Sequence, residues 1–312
     1  MIKIEENVVP LRSKNATYTE HVTSMISRGI SRYAELILLI TQSLKNNNFA
    51  HLSYGKKENH QNFVLGKGDG HRIKAQDILD TLYSMGDARQ RDNLMRFFKT
   101  GKGEYGEGDQ FLGIRVPEVR TVVKEARLCV DFKEIEVLLA SPWHEARLCG
   151  FLLLVEEMRA AMPKARQSPE TGAERREEIA RFYLKHAQRA NNWDLVDLSC
   201  PKILGKWLLL PGPDGSLPDR QVLYDLAASP CLWEQPIAMV TCWMIIRADE
   251  YEDTLRLATL LLPHPHDLIH KAVGWMLREV GKRDMGVLKD YLAEHAPHMH
   301  RTTLRYATEK MR

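Results

Sequence analysis

The chain has 312 residues, 44% of them hydrophobic and 27% charged, enough for a packed core spread over two average domains or one elongated repeat array. Its 44 Lys+Arg against 41 Asp+Glu leave a formal charge of +3, which excludes a polybasic tail but permits a basic face suited to nucleic acid. Apolar runs such as residues 36–40 fall far short of the roughly 18 residues a membrane span needs. The five cysteines form no Cys-x-x-Cys, so reduced thiols in a cytoplasmic protein without membrane contact are expected.

In chain order, residues 1–74 read as an N-terminal extension. "KNNNFAHLSYGKKENHQNFVLGKGDGHR" is polar and rich in Asn, Gly and Lys, so partial disorder is expected around one amphipathic helix near 29–45. From Ala75 to the end almost every segment has helical spacing. Ile78, Leu79, Leu82 and Met85 share one face, and Pro117 sits in a first turn, a common helix start. Ser141-Pro142 reads as a second start, with Ser141 as N-cap, and Ser229-Pro230 repeats it, leaving Pro236 inside the helix. Asp267 reads as the cap of a further helix. Helix pairs recurring at roughly 35–45 residues, without alternating strand patterns, predict an all-α fold: an α-solenoid of HEAT-like repeats, an α-α superhelix, over 75–312.

Two formal motifs dissolve on inspection. Gly101-x-Gly103-x-x-Gly106 follows a helical segment instead of a strand, so an inter-helix loop is the reading, not a dinucleotide site. His264, His266, Asp267 and His270 have metal-like spacing, but prolines 263 and 265 hold two of them in a loop and no further ligand pair joins them. Neither metal nor cofactor is expected.

Of the six tryptophans most should be core. Two keep polar company on their own helical face. Trp193 lies one turn before Asp197 in "NNWDLVDLS", and Trp275 lies three residues before Arg278 in "KAVGWMLRE".

With those blocks the sequence resembles the DNA alkylation repair (AlkD-like) HEAT-repeat DNA glycosylases over about 75–312. Five ordered stretches carry the resemblance: "FLGIRVPEVR" (111–120), "WHEARLCGFLLL" (143–154), "NNWDLVDLS" (191–199), "KAVGWMLREVGKR" (271–283) and "RTTLRYATEK" (301–310). The resemblance implies excision of positively charged N3- or N7-alkylated purines from duplex DNA by hydrolysis of the N-glycosidic bond. It implies Trp193, Asp197 and Trp275 as the catalytic group and Arg278 as a DNA-facing companion. One departure stands out: an arginine that relatives direct at DNA is Pro236 here.

These residue types suit that chemistry. The transition state moves positive charge from base to sugar, which an ionised Asp197 aimed at C1′ stabilises, by analogy with single oxyanion-site donors worth about 3–4 kcal/mol. The indoles hold a cationic lesion at roughly 0.5–2 kcal/mol each. Lys271, Arg278, Arg301 and Arg305 are the expected phosphate contacts on duplex DNA, and a monomer is expected. The competing reading is a HEAT-repeat DNA-binding or protein-interaction module without catalysis.

Overall fold

A computed structural model describes residues 72–311, and these are all-α. The helix expected near 29–45 lies outside the described residues, as does the extension up to residue 71. Thirteen α-helices follow in order. They are α1 (Ala75–Met85), α2 (Ala88–Phe97), α3 (Val116–Ala126), α4 (Phe132–Ala140), α5 (His144–Ala160), α6 (Ala173–Lys185) and α7 (Trp193–Trp207). Then come α8 (Gln221–Ala227), α9 (Glu234–Arg247), α10 (Glu252–Leu261), α11 (Asp267–Arg283), α12 (Met285–His295) and α13 (Arg301–Ala307).

The packing is that of an α-solenoid. One row runs α3, α5, α7, α9, α11, α13, each helix against the next; α4, α6, α8, α10 and α12 back this row from the other side. Apolar spacing explains the two layers. In α1 the buried stripe is Ala75, Ile78, Thr81 and Leu82, whereas α5, inside the row, buries residues around nearly its whole circumference. Two glycines let neighbouring helices of the row approach. A Cβ on Gly205 of α7 would sit 2.9 Å from the Thr241 carbonyl of α9, and one on Gly274 of α11 would sit 2.6 Å from the Thr303 carbonyl of α13.

Three helix starts differ from expectation. Helix α5 begins at His144, not after Ser141, because the His144 amide donates to the Gln110 carbonyl (2.7 Å) and the Ser141 hydroxyl accepts only from Trp143 N. Helix α9 begins at Glu234, which puts Pro236 in the first turn, where a missing N–H removes no intrahelical bond. The cap of α11 is His266, whose Nδ1 accepts from Leu268 N (3.2 Å). Asp267 instead ties α11 to α13 by accepting from the Thr302 hydroxyl (2.9 Å). Upstream, residues 72–74 belong physically with the helices: Ile73 N donates to Cys129 O (2.9 Å) and Lys74 pairs with Glu134.

Candidate active site

The first turn of α7 is set by Asn192. Its backbone is extended, its side chain is wholly buried, and its Oδ1 accepts from Trp193 N (2.9 Å), ending the preceding turn and starting the helix. Trp193 and Asp197 therefore fall one turn apart on one face. Pro201, four residues beyond Asp197, has no N–H to give the Asp197 carbonyl, so the helical ladder is interrupted beside the acid.

Asp197 is half-buried. Its Oδ1 is enclosed without a hydrogen-bond partner, while the residue as a whole stays within reach of solvent. Burial, and after it the charge of Asp194, push its carboxyl well above the usual carboxylate range. It has no ion-pair partner among the described residues, so the acid is not neutralised by an internal cation.

Trp193 stands edge-to-face on Trp233 (centroids 6.1 Å apart, 83°), and Trp233 does the same with Tyr105 (6.0 Å, 71°). The glycine-rich segment is indeed a loop between helices, and it carries Tyr105 to this aromatic row. Trp275 packs against Trp243 of α9 (6.4 Å) and its indole N–H donates to Glu279 (3.2 Å). The three expected catalytic residues thus lie on α7 and α11, on either side of α9 in one row.

Behind the first turn of α7 is a buried polar network. His144, at the start of α5, bonds Asp109 through Nδ1 (2.8 Å) and Asp194 through Nε2 (3.0 Å). Arg147 pairs with the same Asp109, and Asn192 Nδ2 donates to it at 3.4 Å. The His144 ring lies on Phe111 (4.3 Å, 19°) and beside Phe98 (5.1 Å). Burial alone would lower the His144 pKa, but the flanking Asp194 and Asp109 outweigh it and raise it to about 9. Burial opposes the charge on Asp109 too, yet His144 and Arg147 hold its carboxyl below the usual range. Next to this network Glu145 accepts from the backbone amides of Leu112, Gly113 and Ile114 at 2.8–3.0 Å. Three of the five sequence blocks meet here, and the other two meet where α11 packs on α13.

The expected phosphate contacts have different surroundings. Arg301 and Arg305 are exposed on α13, the latter 5.5 Å from the Tyr306 ring centroid. Lys271 is paired with Asp267 (2.8 Å). Arg278 is buried and paired with Glu309, two residues beyond α13, with Glu279 3.7 Å from its Nε. In this conformation the Arg278 guanidinium joins α11 to the chain end. Pro236 is buried. Among the described residues no three His, Cys, Asp or Glu side chains group as metal ligands.

Sequence spacing missed Asp109, His144, Asp194, Tyr105 and Trp233. The available signal was the repeated helix opening, Trp143-His144-Glu145 and Trp193-Asp194, in which polar residues follow a tryptophan into a first turn.

The family described as DNA alkylation repair enzyme matches residues 78–311. Among solved structures, a predicted DNA alkylation repair enzyme from Enterococcus faecalis is 16% identical, with a TM-score of 0.50, covering 72% of this chain and 96% of that one. At that identity the likeness is one of fold. No curated protein matches the chain.

Proposed function

We propose that this chain, which belongs to the DNA alkylation repair enzyme family, is a monofunctional DNA glycosylase that releases positively charged N3- or N7-alkylated purines from duplex DNA. The observation that carries the reading is Asp197: an acid with one enclosed, unpartnered oxygen, one helical turn from an indole that is itself only half-buried.

Burial, and after it the charge of Asp194, disfavour the ionised form of this carboxyl in the free protein. A cationic nucleotide beside it favours the ionised form, the carboxyl proton passing to solvent, so the lesion's own charge prepares the carboxylate that stabilises the sugar. As the C1′–N bond breaks, the base leaves with the bonding pair and is neutral, and the charge left on the sugar faces the Asp197 carboxylate. Water adds through its oxygen to C1′ and gives its proton to that carboxylate or to solvent. Trp193 and Trp275 hold the cation from their faces, at roughly 0.5–2 kcal/mol each. A neutral purine neither ionises Asp197 nor gains those contacts. Discrimination against normal DNA follows from charge.

The test is release of 7-methylguanine from a methylated duplex, with Asp197→Asn alongside. We expect release by the parent protein and a loss of about 100-fold or more in the variant, the scale of one lost electrostatic stabiliser. Equal release by both would end the assignment. A second reading, duplex binding without excision, is favoured by the pairing of Arg278 with Glu309 and by buried Pro236, which together place no free arginine at those two expected positions. It predicts salt-sensitive binding and no released base.

A further inference from the structure

The buried network behind α7 has a charge arrangement that cohesion does not explain. Both ring nitrogens of His144 face a carboxylate, Asp109 at Nδ1 (2.8 Å) and Asp194 at Nε2 (3.0 Å). An ionised carboxylate only accepts and a neutral imidazole has one N–H to donate, so the two bonds together require the imidazolium. With Arg147 on Asp109, two cations balance two anions. Taking such a group out of water costs about as much as its mutual attraction returns, and the stacked Phe111 ring already supplies apolar packing there.

The balance is uneven between the two anions. Asp109 also has Arg147 and Asn192 Nδ2 (3.4 Å). Asp194 has His144 as its one cation among the described residues and otherwise accepts from Leu195 N (2.9 Å). Loss of the His144 proton therefore falls on Asp194.

Asp194 matters through its place on α7. It precedes Asp197 by three residues, so the two carboxyls are neighbours on the helix, and its charge opposes ionisation of Asp197. Cys200 of the same helix also faces Asp197, while from α9 Cys242 and Thr241 face Cys200. Asp197 has no ion pair of its own among the described residues; His144 reaches it through Asp194. Asn192 joins the same network to the helix start, with Nδ2 on Asp109 and Oδ1 on Trp193 N. One buried group thus fixes where α7 begins and the charge beside its acid.

We propose that His144 is a positioning residue for Asp197: its imidazolium neutralises Asp194, which lets Asp197 ionise when a cationic nucleotide arrives. This rests on the reading of Asp197 as the carboxylate that faces the sugar. The His144 proton stays on the ring throughout, and the proton that Asp197 gives up passes to solvent.

Carboxyl 13C NMR of the full chain, with Asp197→Asn to assign the signal, measures the pH midpoint of Asp197 without requiring excision. Asp194→Asn removes the opposing charge and should lower that midpoint by about one pH unit. His144→Gln leaves Asp194 charged and without its cation, and should raise the midpoint by about as much. The double variant should return to the Asp194→Asn value. Release of 7-methylguanine should be about tenfold slower in His144→Gln near neutral pH, with the deficit closing as pH rises and rescued by adding Asp194→Asn. A residue that only supports the fold would slow release equally at every pH and gain nothing from the second substitution. Ring 15N signals of His144 in the parent at pH 7 should be those of an imidazolium. A neutral ring overturns the proposal, as does an Asp197 midpoint unmoved by Asp194→Asn; neither result depends on His144→Gln folding. If the midpoints move as expected but the parent releases no 7-methylguanine, the coupling stands and the excision reading falls.

Discussion

Asp197 is a residue whose local surroundings disfavour its charge. A carboxyl raised by burial holds a proton that the unfolded chain releases above its ordinary pKa, so it withdraws stability as pH rises from that ordinary value toward the folded one. Asp197→Asn removes that burden. At pH 7 it should melt higher than the parent, by about 2–4 °C for a gain near 1 kcal/mol, while losing base release. A lower melting temperature in calorimetry would show that the carboxyl is a structural acid instead. His144 has the opposite sign. Its folded pKa of about 9 lies above the ordinary 6.5, so its contribution is complete below about 6.5 and lost as pH climbs through 9. That loss amounts to roughly 3 kcal/mol at most. Melting temperature should fall across that window in the parent, and the fall should flatten in His144→Gln. A profile unchanged by that substitution would mean the Asp109–His144–Asp194 bridge carries no charge.

At the scale of elements, the site depends on where helices start. Helix α7 begins at Trp193 because Asn192 caps it, and α5 begins at His144 because the Gln110 carbonyl takes its amide. Those two starts place Asp194 and His144 within bonding distance and turn Trp193 and Asp197 to one side. Helix α11 is positioned differently, by close approach. Gly274 lies where any Cβ meets the Thr303 carbonyl and the Tyr306 Cβ at 2.6 Å. Gly274→Val should force α11 and α13 apart, cost about 1–3 kcal/mol as overpacking does, and disturb the Arg278–Glu309 pair. A thermal melt reads the stability. A variant as stable as the parent would show that α13 shifts freely.

On the scale of the molecule, a single row of helices among the described residues carries Asp197, Trp243 and Trp275 in succession, with Trp233 immediately before α9, while the second layer supplies backing. A formal charge of +3 is compatible with a basic face, because net charge does not fix where the charges lie. At this scale duplex affinity should be indifferent to base sequence and fall steeply with salt. Competition binding with unrelated duplexes measures both, and a marked sequence preference would contradict backbone-led recognition.

Apolar spacing was enough to read the all-α solenoid from Ala75 onward, since a helix that buries one stripe must show it at a period of 3.6. The Trp193–Asp197 pairing was legible for the same reason: both residues belong to one helix, and residues four apart share a face. The covering of Asp197 Oδ1, the bridge from Asp109 through His144 to Asp194 and the capture of Arg278 by Glu309 were decided only by tertiary structure. Each joins groups 31 to 85 positions apart or depends on what neighbouring helices cover. A charge pattern in one segment does not reveal which distant partner will neutralise it, or that none will.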